Sequence, residues 1–340
     1  MGTTDGGNKV YLTIDAELQL TAYDALDGRN GTVAVYNYRT GEVLCMVSAP
    51  TFDPQAPPTI KEGDSRYEGV YLNRCLSAAY TPGSVFKIVT TAAALEQTGD
   101  AEQRTFTCEG HLKVGDDVVT CPSVHGTMDL SEAFAKSCNC AYAELALELG
   151  GDTLQRYARR GGLLESHSIN GIETAAASFA IGEEGDLARS GVGQYDTLIN
   201  PCSLMTLMGA IADGGSAAEP SLLLRQTTMS NFPAASPGKS STGTLWSTST
   251  CARLRQMMAN NVALTYGQDR FGDLAVCAKS GTAEVGSGQP HAWFTGFIDD
   301  SDCPLAFVVV VEHGGSGAET AGSIAATVLQ QAAQLTTDRE

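Results

Sequence analysis

The sequence predicts an α+β arrangement within the α/β class: one mixed sheet built from both ends of the chain, flanked by helices, with a helical lobe inserted between its halves. Three patterns predict it. Strand-like stretches crowd the two ends, helix-like stretches fill the middle, and Gly or Pro punctuation separates most of them.

Near the start, Leu12-Thr13-Ile14-Asp15 leads into a helix over Ala16 to Leu26, where Leu18, Ala22 and Ala25 recur at helical spacing and Gly28 ends the run. Thr32 to Tyr38 alternates as a strand, Arg39-Thr40-Gly41 turns, and Glu42 to Ala49 returns as its hairpin partner. Pro50 to Asp64 is a Pro-rich connection, and Pro82-Gly83 interrupts the chain just before an apolar helix from Ser84 to Leu95. A helix apolar nearly all round is buried, yet this one carries Lys87. Leu130-Ser131-Glu132-Ala133 opens another helix. Ser137 and Asn139 fall at its end or in the break before Ala141 to Leu149, which Gly150-Gly151 terminates. Asn200-Pro201 starts a helix that runs to Ala212, with Asn at the cap and Pro at the first position. Asn231 to Gly243 reads as a surface loop. Strands over Leu274 to Lys279, Ala292 to Asp299 and Leu305 to Glu312 follow, and Ala321 to Ala333 is a closing helix. Residues 1–9 read as a flexible, added leader and 10–340 as one domain, with its sheet part at about 10–80 and 265–340 and its helical lobe at about 95–260. A cleft between sheet and lobe is the expected site position.

At 340 residues with 43% hydrophobic content the chain can bury a large core. Its net charge of −18 argues against a nucleic-acid partner, which needs clustered Lys and Arg. No run of about 18 apolar residues would span a bilayer, and the first residues lack the charged and apolar regions of a secretory signal. The ten cysteines are too scattered for a disulfide scaffold. Cys138-Asn139-Cys140 is too tight for a usual zinc pair, and no metal or other cofactor is expected. Cys108 and Cys121 flank a hairpin-like stretch, His111 to Thr120 with Gly115-Asp116 at its turn, which a disulfide between them could tie. Cys45 and Cys277 read as small buried hydrophobes.

The chemistry sits in three short motifs: Ser84-Val85-Phe86-Lys87, Ser137-Cys138-Asn139 and Lys279-Ser280-Gly281-Thr282. Serine is a poor nucleophile until a base takes its proton. Lys87, one turn from Ser84 in apolar company, would have a lowered pKa and could be that base. A backbone N–H at Ser84 would face a developing oxyanion. Ser137 could relay a proton and Asn139 could hold a substrate amide. Lys279 supplies positive potential, Ser280 and Thr282 offer hydroxyls to a carboxylate, and Gly281 lets a ligand backbone come close. Ser236-Pro237-Gly238-Lys239 and Ser168-Ile169-Asn170 repeat two of the patterns, but lie in loops without the required setting. Three motifs in this order point to a serine acyltransferase.

The chain resembles the transpeptidase domain of class B penicillin-binding proteins. Beyond the motifs, the likeness includes Leu12-Thr13-Ile14-Asp15 with Leu18-Gln19, Asn73-Arg74, Tyr80-Thr81-Pro82-Gly83 and His125-Gly126. It continues through Gly191-Val192-Gly193-Gln194 ahead of Asn200-Pro201, Ala283-Glu284 and Ala292-Trp293-Phe294-Thr295-Gly296-Phe297. The resemblance covers about residues 10 to 335. It implies the β-lactamase/transpeptidase-like fold, an antiparallel sheet with helices on both faces and an all-α lobe. It implies attack by Ser84 on the D-Ala-D-Ala bond of a peptidoglycan stem peptide and acyl transfer to an amine acceptor. Lys87, Ser137 and Lys279 would handle the proton, and the backbone N–H groups of Ser84 and Thr282 would form the oxyanion hole. Asn139, Ser280, Gly281, Thr282 and Trp293 would bind substrate, and β-lactams would acylate the same serine. It also implies action outside the cytoplasm beside a membrane-bound glycan polymerase and division or elongation proteins. The family's membrane helix and N-terminal module lie outside the sequence, which reads as an excised catalytic domain. Cysteines flanking Asn139 depart from the family pattern.

Two other functions fit the same motifs. A serine β-lactamase needs a means of activating water. Glu165 lacks the E-x-x-x-N spacing of class A enzymes, whereas a class D-like enzyme with a carbamylated Lys87 stays open. A β-lactam sensor would keep the same serine and lysine without turnover.

Overall fold

The computed structural model describes residues 7–61, 63–236 and 238–337. In chain order the elements are β1 (Lys9–Leu12), α1 (Ala16–Leu26), β2 (Gly31–Asn37), β3 (Val43–Ala49), α2 (Arg74–Ser77), a 3₁₀ turn (Gly83–Phe86) and α3 (Lys87–Gln97). The lobe continues with β4 (Phe106–Cys108), β5 (His111–Val114), β6 (Asp117–Thr120), β7 (Gly126–Met128), α4 (Leu130–Ala135), α5 (Asn139–Leu149) and α6 (Gly151–Arg160). Then come β8 (Ser168–Ile169), β9 (Ile172–Glu173), α7 (Glu184–Gly191), α8 (Pro201–Ala212), β10 (Leu223–Thr227), β11 (Pro233–Ala235) and α9 (Thr248–Asn261). The chain closes with β12 (Val276–Ala283), β13 (His291–Ile298), β14 (Leu305–Val311) and α10 (Gly322–Thr337).

The main sheet has the order β12-β13-β14-β2-β3. It joins both halves of the chain, and every pairing is antiparallel, as the family resemblance implied, where the residue pattern alone suggested a mixed sheet. Period-two alternation decides which face each side chain serves. Val33, Val35, Phe307 and Val309 pack with Leu18, Leu26 and Leu329 of α1 and α10. Ala34, Tyr36, Val308 and Val310 pack with Leu204 and Met208 of α8 on the other face. Coverage on both faces is why β14 reads as the unbroken apolar run Leu305–Val311.

Local signals set the boundaries. Asp15 caps α1 by accepting from the Glu17 and Leu18 N–H groups, and Asp27 ends it in the left-handed region. Asn200 caps α8, and its Nδ2 also donates to the carbonyls of Cys75, Leu76 and Ala78 at 3.1, 2.9 and 2.8 Å. One buried amide thereby anchors the segment that leads to Ser84.

Some expectations need correction. Lys9, placed in the leader from the sequence, falls in β1, which pairs with β10; residues 1–6 of that leader lie outside the described residues. The surface loop from 231 carries the short strand β11. Beside its helices the lobe holds the ribbons β4–β7, β5–β6 and β8–β9. The hairpin between Cys108 and Cys121 forms, but both residues are free thiols, with no disulfide between them.

A buried ion pair braces the approach to the site. Arg74 Nε donates to Glu312 Oε1 at 2.8 Å, and Tyr80 Oη donates to the same oxygen at 2.8 Å. The Arg74 side chain is only 5% exposed, so removing its partner strands a buried charge. Glu312→Leu is expected to destabilise the fold by about 3 kcal/mol, the low end for a broken buried pair because Glu312 keeps some solvent access. A denaturant midpoint equal to that of the unchanged protein would contradict this.

Candidate active site

Ser84 lies in a 3₁₀ turn rather than at the first turn of an α-helix, with Lys87 opening α3 directly behind it. In a 3₁₀ turn side chains three apart eclipse, which brings Lys87 Nζ to 3.1 Å from Ser84 Oγ. Lys87 is completely buried. Its Nζ also donates to the Ser137 carbonyl at 2.6 Å and to Asn139 Oδ1 at 2.7 Å, and lies 3.1 Å from Ser137 Oγ. Burial penalises the ammonium form and brings the Lys87 pKa down to about 7, against a weaker upward pull from negative charge on Cys121, Cys138 and Cys140.

Ser137 occupies the break between α4 and α5 in the left-handed region, with φ 52°. A non-glycine residue there costs roughly 1 kcal/mol or more and persists only where its surroundings hold it. Here Ser137 N–H donates to Phe134 O and Cys138 N–H to Ala133 O. The turn places Ser137 Oγ between two amines, 3.1 Å from Lys87 Nζ and 3.1 Å from Lys279 Nζ. Asn139 begins α5, and its Nδ2 donates to Thr120 O at 2.9 Å, so its amide already bridges Lys87 to the lobe hairpin. One further Nδ2 hydrogen is what it can offer a ligand.

Lys279 lies within β12, which continues to Ala283 rather than ending at the lysine. Burial, and then the charge of Lys87, lower its pKa well below the ordinary lysine value. β12 is an edge strand. Ser280 N–H donates to Tyr266 Oη at 2.8 Å, away from β13, and Tyr266 Oη donates back to Ser280 Oγ at 3.0 Å. Backbone direction repeats every second residue, so the Thr282 N–H also faces outward along that edge. Gly281 has a structural reason as well as the expected ligand one: a Cβ there would sit 2.6 Å from Pro82 O, so only glycine lets β12 lie against the serine turn. Gly83 meets the same limit against Thr282 O, at 2.6 Å. Ser84 and Thr282 are thus neighbours on one wall. A groove of about 720 Å³, lined by Thr120, Asn139, Gln194, Tyr195 and Glu284 among others, opens alongside.

The structure therefore gathers Ser84, Lys87, Ser137, Asn139 and the 279–282 strand. Trp293 does not join them. It is wholly buried, its indole Nε1 donates to Thr81 O at 2.9 Å, and its ring meets Tyr80 edge-on, so it supports the serine turn rather than facing a substrate. Sequence reasoning missed Tyr266, which sits in a π-helical turn (Val262–Tyr266) with no periodic signal of its own. Nor did it bring together Cys108, Cys121, His125 and Cys138, whose side chains converge within 4.8 Å of one another behind Asn139.

A family model described as the penicillin binding protein transpeptidase domain matches residues 31–334. The peptidoglycan D,D-transpeptidase PbpA of Mycolicibacterium smegmatis is 32% identical, over 96% of this chain and 72% of that protein. Among solved structures, the ceftriaxone acyl-enzyme of penicillin-binding protein A from M. tuberculosis superposes with TM-score 0.88 at 26% identity, over 96% of this chain and 80% of the other. The D,D-transpeptidase domain of a peptidoglycan glycosyltransferase from Eggerthella lenta gives 0.86 at 26% identity, over 98% and 85%. A match of this extent, on a fold that assembles the three motifs around one serine, places the chain in the penicillin-binding protein transpeptidase family.

Proposed function

We infer that the chain is a serine D,D-transpeptidase of peptidoglycan, and that its site works through an acyl-enzyme on Ser84. The observation that carries this is the position of a buried, proton-poor Lys87 amine against both Ser84 Oγ and Ser137 Oγ, with Lys279 closing the relay. Neutral Lys87 takes the Ser84 proton as Oγ attacks the carbonyl of the penultimate D-alanine. The oxyanion is met by the backbone N–H groups of Ser84 and Thr282. The proton passes through Ser137 and Lys279 to the departing D-alanine nitrogen. An amine from a second stem peptide then attacks the ester, forming the cross-link and returning the proton to Ser84. Ser280 and Thr282 hold the terminal carboxylate, Gly281 keeps the edge strand open to the donor backbone, and Asn139 donates to a donor amide. β-Lactams acylate Ser84 in the same way, but their leaving nitrogen stays tethered.

Donor peptide ending in D-Ala-D-Ala plus an amine acceptor is expected to yield free D-alanine and a mass-identified cross-linked product. Rapid, repeated hydrolysis of a chromogenic β-lactam, with no cross-link, would favour the lactamase reading. Glu165, which would have to activate water in a class A lactamase, instead pairs with Arg159 at 3.0 Å on the surface.

The Lys87 pKa sets a pH dependence. Only the neutral amine accepts a proton, so acylation should rise with pH and level off above about 7. Below that value it should fall about tenfold per pH unit. A flat profile of penicillin acylation from pH 5 to 9 would contradict this.

Peptidoglycan lies outside the cytoplasm, so we place the activity on the outer face of the membrane. Among the described residues no helix is long and apolar enough to cross it. Both substrates are nascent glycan strands, which supports work beside a membrane-bound glycan polymerase and the division or elongation proteins that direct it. The sheet part (about 10–80 and 265–340) and the lobe (about 95–260) would act as one catalytic domain, since Lys279 comes from the first and Ser137 from the second.

A further inference from the structure

Cys108 ends β4, Cys121 follows β6, His125 precedes β7, and Cys138 lies between Ser137 and Asn139. Their Sγ atoms and one imidazole nitrogen all lie within 4.8 Å of one another. Cys121 Sγ is 3.7 Å from Cys138 Sγ and 3.7 Å from His125 Nδ1. A disulfide needs about 2.05 Å between sulfurs. Tetrahedral zinc with Zn–S near 2.3 Å and Zn–N near 2.05 Å instead separates its ligand atoms by about 3.6–3.8 Å. The spacing around Cys121 fits the tetrahedron.

The surroundings fit as well. Cys108 and Cys138 are buried, with 1% and 0% exposure, while Cys121 and His125 are partly open, which leaves an entry path. His125 Nε2 lies 3.2 Å from Ser123 Oγ, so that hydroxyl can accept the Nε2 hydrogen and leave the Nδ1 lone pair facing the sulfurs. The Asn139 N–H donates to Cys121 Sγ at 3.0 Å, a bond that suits a thiolate. Three soft thiolates with one imidazole select zinc over hard cations.

We propose that Cys108, Cys121, His125 and Cys138 bind one Zn²⁺ as a closed tetrahedral Cys₃His centre. Its role is structural. Four protein ligands leave no position for substrate or reactive water. The centre clamps β4 and the β6–β7 connection onto the turn that carries Ser137 and Asn139. Zn²⁺ displaces three thiol protons on binding, and no bond changes oxidation state.

The test uses the full chain, purified under reducing conditions without chelator. Metal analysis is expected to find about one zinc per chain, and Co²⁺ exchange should give thiolate charge-transfer and intense visible bands of a tetrahedral site. Cys108→Ser and His125→Ala should each lose most of the metal, while Cys303→Ser, whose residue packs in the other core cluster, should retain it. Because ligand variants can fail to fold, the cobalt spectrum of the unchanged protein decides independently. Folded, penicillin-reactive protein that contains no zinc and takes up neither Zn²⁺ nor Co²⁺ would overturn the proposal. So would a disulfide among these three cysteines, found by non-reducing peptide mapping of protein purified separately without reductant.

Discussion

Ser84→Ala protein, treated with penicillin, is expected to keep its own mass, while the unchanged protein gains one antibiotic. The substitution removes the oxygen that the proposed reaction acylates. Loss of a nucleophile from an assembled serine site costs about 10⁶-fold in rate, because the remaining groups bind and polarise but have nothing to acylate. The fold should hardly notice. Ser84 Oγ is bonded to Lys87 Nζ, and removing one such bond at a half-buried position changes stability by about 1 kcal/mol. Labelling at unchanged stoichiometry in the alanine variant would move the nucleophile elsewhere.

Lys87→Ala is expected to slow acylation by about 10²–10⁴-fold, the usual contribution of a positioned general base. The rate should also lose its rise with pH through about 7, because the group responsible for that rise is gone. Two opposing terms decide stability. The substitution relieves the desolvation of a wholly buried amine, but leaves Asn139 Oδ1 and the Ser137 carbonyl without their donor. Each lost partner costs about 1–3 kcal/mol and the relief is of similar size, so the thermal midpoint should move little. Stopped-flow acylation across pH, paired with thermal unfolding, separates loss of the base from loss of the fold. Near-normal acylation with the pH rise intact would remove Lys87 from this role.

The parts of the site that were legible in the sequence are those with a local reason. Ser84 and Lys87 are three apart, so almost any helical turn brings them together. Lys279 stood out because an apolar strand has no use for a cation unless something engages it. Ser137 and Asn139 were legible from the break between two helix patterns, although the left-handed turn at Ser137 that aims its hydroxyl was not. What stayed hidden depends on contacts across long stretches of chain. Tyr266 reaches Ser280 from a π turn. β1 owes its existence to β10, more than two hundred residues later. Trp293 lies on an expected strand, but which way its indole turned depended on the Thr81 carbonyl. The cysteine and histidine cluster draws on three separate segments, and its one short spacing, Cys121 to His125, says nothing of Cys108 or Cys138.

The convergence of these groups around one oxygen is tested most directly by a crystal structure of the protein soaked in penicillin. Continuous density from Ser84 Oγ to the opened lactam is expected, with the lactam carbonyl oxygen at the Ser84 and Thr282 N–H groups and Lys87 and Lys279 flanking Ser137. An adduct on another residue, or a fully occupied drug with no bond to Ser84, would contradict it.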